Sequence, residues 1–197
     1  MKRARGDTTD DDAAVTAWAL AAGRGDREAA TRFIQATQHQ VWRFVGHLAS
    51  PGEADDLTQE TYLRALRSLP TFAARASART WLLGIARRVV VDQIRAATSR
   101  PRTVPLSERH DLADTGGGFD GMVALEGVLL TIDADRREAF VATQITGLSY
   151  AEAAEVCGCP VGTIRSRVAR AREDLVVALN AGQGVAAGAG RLSIAPS

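Results

Sequence analysis

The chain has 197 residues, of which 46% are hydrophobic, 24% charged and only 5% aromatic, with a formal net charge of +1. That is the balance of a soluble globular protein of one ordinary domain or two small ones, with a core built from Leu, Val, Ile and Ala. It does not fit a globally basic polyanion binder, and no apolar stretch is long enough to span a membrane.

The charges are unevenly placed. Asp7, Asp10, Asp11 and Asp12 make the N-terminus acidic, whereas Arg75, Arg79, Arg87, Arg88, Arg95, Arg100 and Arg102 form one basic stretch and Arg165, Arg167, Arg170 and Arg172 another. Separate basic faces in a near-neutral chain suggest local polyanion contacts. Lys2, Arg3 and Arg5 are followed by acids and not by an apolar run, so no secretory leader is expected and the predicted location is cytoplasmic.

In chain order, residues 1–11 read as an acidic disordered N-terminus. Asp12 is placed to cap a first helix bearing Val15, Trp18 and Leu20, which Gly23 and Gly25 end. Asp26 caps a second helix whose Ile34, Val41, Val45 and Leu48 share a face, and Pro51-Gly52 stops it. A third helix from about Glu53 carries Leu57, Leu63 and Leu66, expected to face the core, and Pro70 ends it. After a loop of small residues, a fourth helix from about Ala78 has an apolar stripe of Leu82, Ile85, Val89 and Ile94.

Residues 101–121 contain Pro101, Pro105 and Gly116-Gly117-Gly118 and read as a flexible linker. Its composition predicts that the blocks it joins, 12–100 and 122–180, move as two bodies. Asp133 caps a helix that ends at Gly147. Residues 181–197 are Ala- and Gly-rich and expected to be disordered. The fold class is therefore all-α, two small helical domains joined by a flexible linker.

The sharpest local pattern lies between Gly147 and Leu175. Ser149 with Glu152 makes a capping box, Gly158 suits a left-handed helix end, and Pro160 suits the first turn of the next helix. Two helices joined so tightly form a helix-turn-helix. On the second helix Ile164, Val168 and Leu175 point inward, whereas Gly162, Thr163, Arg165, Ser166 and Arg170 spread over the other side. Arg donates to guanine or phosphate, Ser and Thr bond base edges or phosphate, and Gly permits close approach, which is the chemistry of a DNA major groove.

On the third helix, Asp55, Asp56, Gln59 and Glu60 gather on the outer surface. Such an acidic and amide patch repels DNA and fits a protein partner with basic residues.

The segment Ala54 to Leu66, ADDLTQETYLRAL, resembles conserved region 2.2 of the extracytoplasmic-function (ECF) sigma factors. Ala78 to Arg88, ARTWLLGIARR, resembles their region 2.4, and Cys159 to Arg167, CPVGTIRSR, their region 4.2. The motifs stand in the family's order, and the resemblance covers about residues 12–180, with an overall pattern similar to the sigma-C type of actinobacteria. It implies a sigma-2 domain over 12–100 that binds the polymerase β′ clamp helices through Asp55, Asp56, Gln59 and Glu60 and opens the minus-10 element. It also implies a sigma-4 domain over 122–180 that binds the β flap and reads the minus-35 element.

Candidates for minus-10 contacts are Arg75, Ser77, Arg79, Arg87 and Arg88. The loop between Pro70 and Trp81 is where the family traps a flipped base. Phe72 is its one aromatic residue before Trp81, and Trp81 itself reads as a core residue. The expected partners are core RNA polymerase, promoter DNA and, as a candidate, an anti-sigma protein; the free chain is expected to be a monomer. A DNA-binding regulator that is not a sigma subunit is the alternative.

No cofactor, metal or catalytic site is expected. Cys157 and Cys159 offer two ligands where structural zinc needs four, and they read as apolar cysteines at the turn. His39 and His47 are not at metalloprotease spacing, so a helical metalloenzyme built on them with Asp55 and Glu60 carries little. P-loop, Rossmann and nucleophile-elbow motifs are all missing.

Overall fold

A computed structural model describes residues 5–99 and 127–189. Every regular element among them is helical. The expected linker, 101–121, lies outside the described residues.

The first block contains α1 (Arg5–Gly23), α2 (Arg27–Leu48), α3 (Ala54–Ser68) and α4 (Ala78–Ser99), with 3-10 turns at Pro51–Glu53 and Leu69–Thr71. Helix α1 starts well before Asp12, within the stretch expected to be disordered. Its acids thus fall in its opening turns, where the helix dipole favours negative charge. Its last residue, Gly23, is held to glycine by close packing, since a Cβ there would lie 2.5 Å from the Leu69 carbonyl oxygen. Asp26 caps α2 as expected, its carboxylate accepting from Ala29 N–H at 3.0 Å.

The second block has a helical stretch at 127–131, then α5 (Ala134–Phe140), a π-helical turn (Val141–Ile145), α6 (Tyr150–Cys157) and α7 (Val161–Ala189). Asp133 caps α5 through the N–H groups of Asp135 and Arg136. Helix α7 runs on to Ala189, past the expected start of a disordered tail at 181. Alanines there are good helix formers that extend a helix already nucleated.

The core of the first block is Phe33, Val41, Phe44 and Val45 of α2 against Leu82, Leu83 and Ala86 of α4, all at most 1% exposed. Helix α3 is rotated relative to the expected face. Leu57 is buried, but the inward positions after it are Thr61, Tyr62 and Ala65. Leu63 and Leu66 are 45% and 39% exposed, and Ile94 of α4 is exposed too. A buried hydroxyl pair explains the register, because Thr37 Oγ1 of α2 and Tyr62 Oη of α3 lie 2.7 Å apart. Tyr62 lies where its ring is buried and its polar end satisfied.

The blocks do not sit apart. One apolar cluster runs from Val15 of α1 through Leu82 and Val89 of α4 to Val156, Cys157 and Val168 of the second block. Helix α4 packs on α6 at the junction. The linker composition could not foretell this, since it constrains only what lies between the blocks.

The register of α3 has a direct test. Leu57→Ala, on the buried side of α3, should cost about 2–5 kcal/mol in urea unfolding, as a cavity in a closed core does. Leu66→Ala should stay within about 0.5 kcal/mol, as an exposed position does.

Candidate functional site

Three surfaces carry the functional candidates. The first is the outer face of α3, where Asp55, Asp56 and Gln59 are exposed and Glu60 half-buried. Asp55 is held by the Trp42 indole, whose Nε1–H donates to Oδ1 at 2.9 Å. Glu60 accepts from Arg64 at 2.7 Å, and Arg64 also reaches Asp92 of α4 at 2.6 Å. Asp56 and Gln59 have no side-chain partner among the described residues. The patch thus has two ordered carboxylates, two open polar groups and the exposed Leu63 and Leu66 at its side. The pattern did not disclose Trp42 and Arg64 as orienting groups, because their partnerships depend on the final side-chain geometry.

The second surface is the helix-turn-helix. Both halves of the capping box are made: Ser149 Oγ accepts from Glu152 N–H at 3.2 Å, and Ser149 N–H donates to Glu152 at 2.8 Å. Gly158 has φ +65, in the left-handed region where a Cβ is disfavoured. Ile164, Val168, Ala171 and Leu175 of α7 are buried, so the opposite side is turned outward.

Gly162, Arg165, Ser166 and Arg170 are exposed there, and Thr163 is half-buried. Ser166 Oγ donates to the Thr163 carbonyl at 3.0 Å. Arg165 and Arg170 have no partner among the described residues. The other arginines of this run are occupied: Arg167 pairs with Asp135, and Arg172 donates to Gln144 Oε1 at 2.8 Å. Identical residues in one basic run therefore divide into two tied to neighbouring side chains and two that project.

The third surface is the start of α4 with the preceding loop. Phe72 and Trp81 rings stand 4.7 Å apart at a tilt. They line a cavity of about 420 Å³ with Arg75, Thr80 and Arg88 of the first block and Glu155 and Val156 of the second. Trp81 is partly buried and packed on the core while its ring also faces this cavity. Ala74 has φ +50, a left-handed conformation that costs a non-glycine residue roughly 1–2 kcal/mol. Ser77 caps α4 by accepting from Thr80 N–H at 3.2 Å.

The basic residues expected here are disposed differently from one another. Arg75 and Arg88 are exposed, Arg88 donating to Gly84 O at 3.0 Å. Arg79 is turned inward, its side chain 13% exposed and paired with Asp11 and Asp12 of α1. Arg87 is paired with Glu138 of α5, across the junction between the blocks. In this arrangement Arg79 and Arg87 are committed to protein carboxylates.

Burial raises the Asp12 and Glu138 carboxyls, with Arg79 and Arg87 respectively working against that rise. Other polar ties cross the same junction. Gln40 donates to the Thr146 carbonyl at 2.8 Å and Thr80 Oγ1 to Glu152 at 3.3 Å. Cys157 is buried beneath the junction, and burial pushes its thiol up to about 12. Among the described residues there is no cluster able to hold a metal ion and no helix long and apolar enough to cross a membrane.

Family models for "Sigma-70 region 2" and "Sigma-70, region 4" match residues 33–100 and 122–175. The chain is 55% identical over 172 residues to the "ECF RNA polymerase sigma factor SigC" of Mycobacterium tuberculosis, covering 86% of this chain and 93% of that one. It is 32% identical over 165 residues to the "ECF RNA polymerase sigma-E factor" of Escherichia coli K12, covering 76% and 86%. Among solved structures, the sigma factor RpoE in complex with the anti-sigma factor NepR from Bartonella quintana is similar, with TM-score 0.63 and 28% identity over 76% of this chain and 96% of that one. CnrH in complex with the cytosolic domain of CnrY shares the fold, with TM-score 0.68 and 24% identity over 85% and 98%.

Closure of the junction can be read chemically. A thiol with a pKa near 12 stays protonated at pH 8, so Cys157 should resist iodoacetamide while half-exposed Cys159 reacts. Arg87→Ala strands the buried Glu138 carboxylate and also removes a cation that lowers the Cys157 thiol, so the faster alkylation of Cys157 expected in this variant, followed by mass spectrometry, reports opening of the junction and not a change in the thiol's own electrostatics.

Proposed function

The chain belongs to the sigma-70 family as an ECF sigma factor acting in transcription initiation, and from that premise we propose how its residues divide the work. The α3 patch of Asp55, Asp56, Gln59 and Glu60 meets the β′ clamp helices of core polymerase. The outward side of α7, with Gly162, Thr163, Arg165, Ser166 and Arg170, reads the minus-35 element, and the second block also contacts the β flap. The Phe72–Ser77 loop with Arg75 and Arg88 meets the minus-10 element, and the first-block wall of its cavity, with Phe72 and Trp81, receives an unstacked base once the second block has moved away. The chain performs no catalysis of its own and acts in the cytoplasm.

One observation carries this reading: the patch on α3 and the projecting side of α7 are both exposed and chemically opposite, acidic for protein and basic for DNA. A DNA-binding regulator that never joins polymerase leaves the ordered carboxylates of α3 without a purpose.

The packed junction adds a condition. Helix α6 lies on α4, Glu155 and Val156 close one wall of the minus-10 cavity, and Glu138 occupies Arg87. We propose that the free chain is closed and that polymerase separates the blocks, releasing Arg87 to DNA. An anti-sigma protein is a partner that can act on the same equilibrium.

Holoenzyme assembly tests the first role. Replacing Asp56, Gln59 and Glu60 together with Ala should abolish binding to core polymerase while circular dichroism keeps its helical signal. Unchanged binding contradicts the assignment.

The α7 roles separate by salt and sequence. Arg165→Ala in holoenzyme should cost about 1–3 kcal/mol at the cognate minus-35 element and relax preference at one or two positions. Arg170→Ala should weaken all sequences alike and reduce the salt dependence by about one phosphate contact. The measurement is promoter binding across minus-35 variants at several salt concentrations.

A further inference from the structure

The loop that precedes α4 has few bonds of its own. Phe72 N–H donates to Leu69 O at its start, the Phe72 ring meets that of Trp81 at a tilt, and Ala74 sits at positive φ. Where the loop ends is decided by the first turn of α4, which Ser77 caps from within and which is also held from outside. Ala78 N–H, an amide that no intrahelical carbonyl can satisfy, donates to Thr16 Oγ1 of α1 at 3.0 Å. The same hydroxyl donates to the Asp12 carbonyl at 2.8 Å, so its lone pair is aimed at α4.

The next residue, Arg79, is fixed on several sides. Its guanidinium meets the carboxylates of Asp11 and Asp12 of α1. It also donates to Gln40 Oε1 at 3.2 Å and to the Ala36 carbonyl at 3.3 Å, both on α2. Ala78 is fully buried. The start of α4 is thus pinned by a hydroxyl, an ion-pair cluster and burial, all within consecutive residues.

We propose that Thr16 is a positioning residue for minus-10 recognition, with Asp12, Gln40 and Arg79 supporting it: from helix α1 it fixes the exit of the Phe72–Ser77 loop and so the shape of the base cavity. Thr16 touches no DNA in this role. The proposal rests on the reading of that loop as the minus-10 surface. It differs from a purely structural role because the hydroxyl stands at the edge of the core, half-buried, and Thr16→Val keeps the side chain's shape while removing the acceptor.

The test uses holoenzyme reconstituted from the full chain and core polymerase. Fork-junction templates with a single-stranded non-template minus-10 strand, each base varied in turn, report discrimination between cognate and variant bases. Thr16→Val should bind core polymerase as the unmodified chain does and lose discrimination, by up to about tenfold, the limit set by the worth of one hydrogen bond. Thr16→Ser, which keeps the hydroxyl, should restore it.

Discrimination unchanged in Thr16→Val overturns the proposal. So does loss of core binding in Thr16→Val and Thr16→Ser alike, which marks Thr16 as a packing residue only. If the unmodified holoenzyme itself shows no preference among minus-10 bases, it is the functional reading of the loop that fails, and the proposal with it.

Discussion

Helix α4 is buried on two sides, and most of the architecture follows from that constraint. Its Leu82, Leu83 and Ala86 fill the core of the first block, while the same helix packs on α6 of the second. A helix so placed has few positions at which an arginine can face water; Arg88 takes one of them. Arg87 meets this by pairing with Glu138 of α5. Burying such a pair is costly, because desolvation offsets much of the Coulombic gain. The raised Glu138 carboxyl is a sign of that cost. An interface built on a strained balance of this kind is suited to opening when a stronger partner offers itself.

The helices were largely legible in the sequence because their end signals are local. Asp26, Asp133 and Ser149 cap where the spacing places them, and Gly158 takes the left-handed turn. The inward face of α7 was equally readable, since Ile164, Val168 and Leu175 recur at helical spacing. The face of α3 was not. Three leucines suggested one stripe, yet Leu63 and Leu66 are exposed because Thr61 and Tyr62 enter the core with their hydroxyls satisfied. Polar side chains that find partners can outcompete leucines for a buried position, and periodicity counts only the leucines.

The arginines show the same limit more sharply. The patches were found from charge clustering, but which arginine projects depends on carboxylates distant in sequence. Arg79 is claimed by Asp11 and Asp12 and Arg167 by Asp135, while Arg165 and Arg170 stand out from the fold. The acidic N-terminus, which reads as an unstructured tail, proves to hold the start of α4. The packing of the two blocks was invisible for the same reason: Gln40 to Thr146 and Thr80 to Glu152 are contacts between segments that no local pattern links.

The central claim is that the free chain is closed by packing of α6 on α4 and opens on polymerase. Spin labels at Arg67 of α3 and Glu173 of α7, both exposed, with Cys157 and Cys159 replaced by Ala, allow the distance between the blocks to be measured by pulsed electron paramagnetic resonance. Closure predicts one narrow distance distribution in the free chain, which shifts to a different distance when core polymerase is added. A broad distribution in the free chain, or one that core polymerase leaves unchanged, would contradict it.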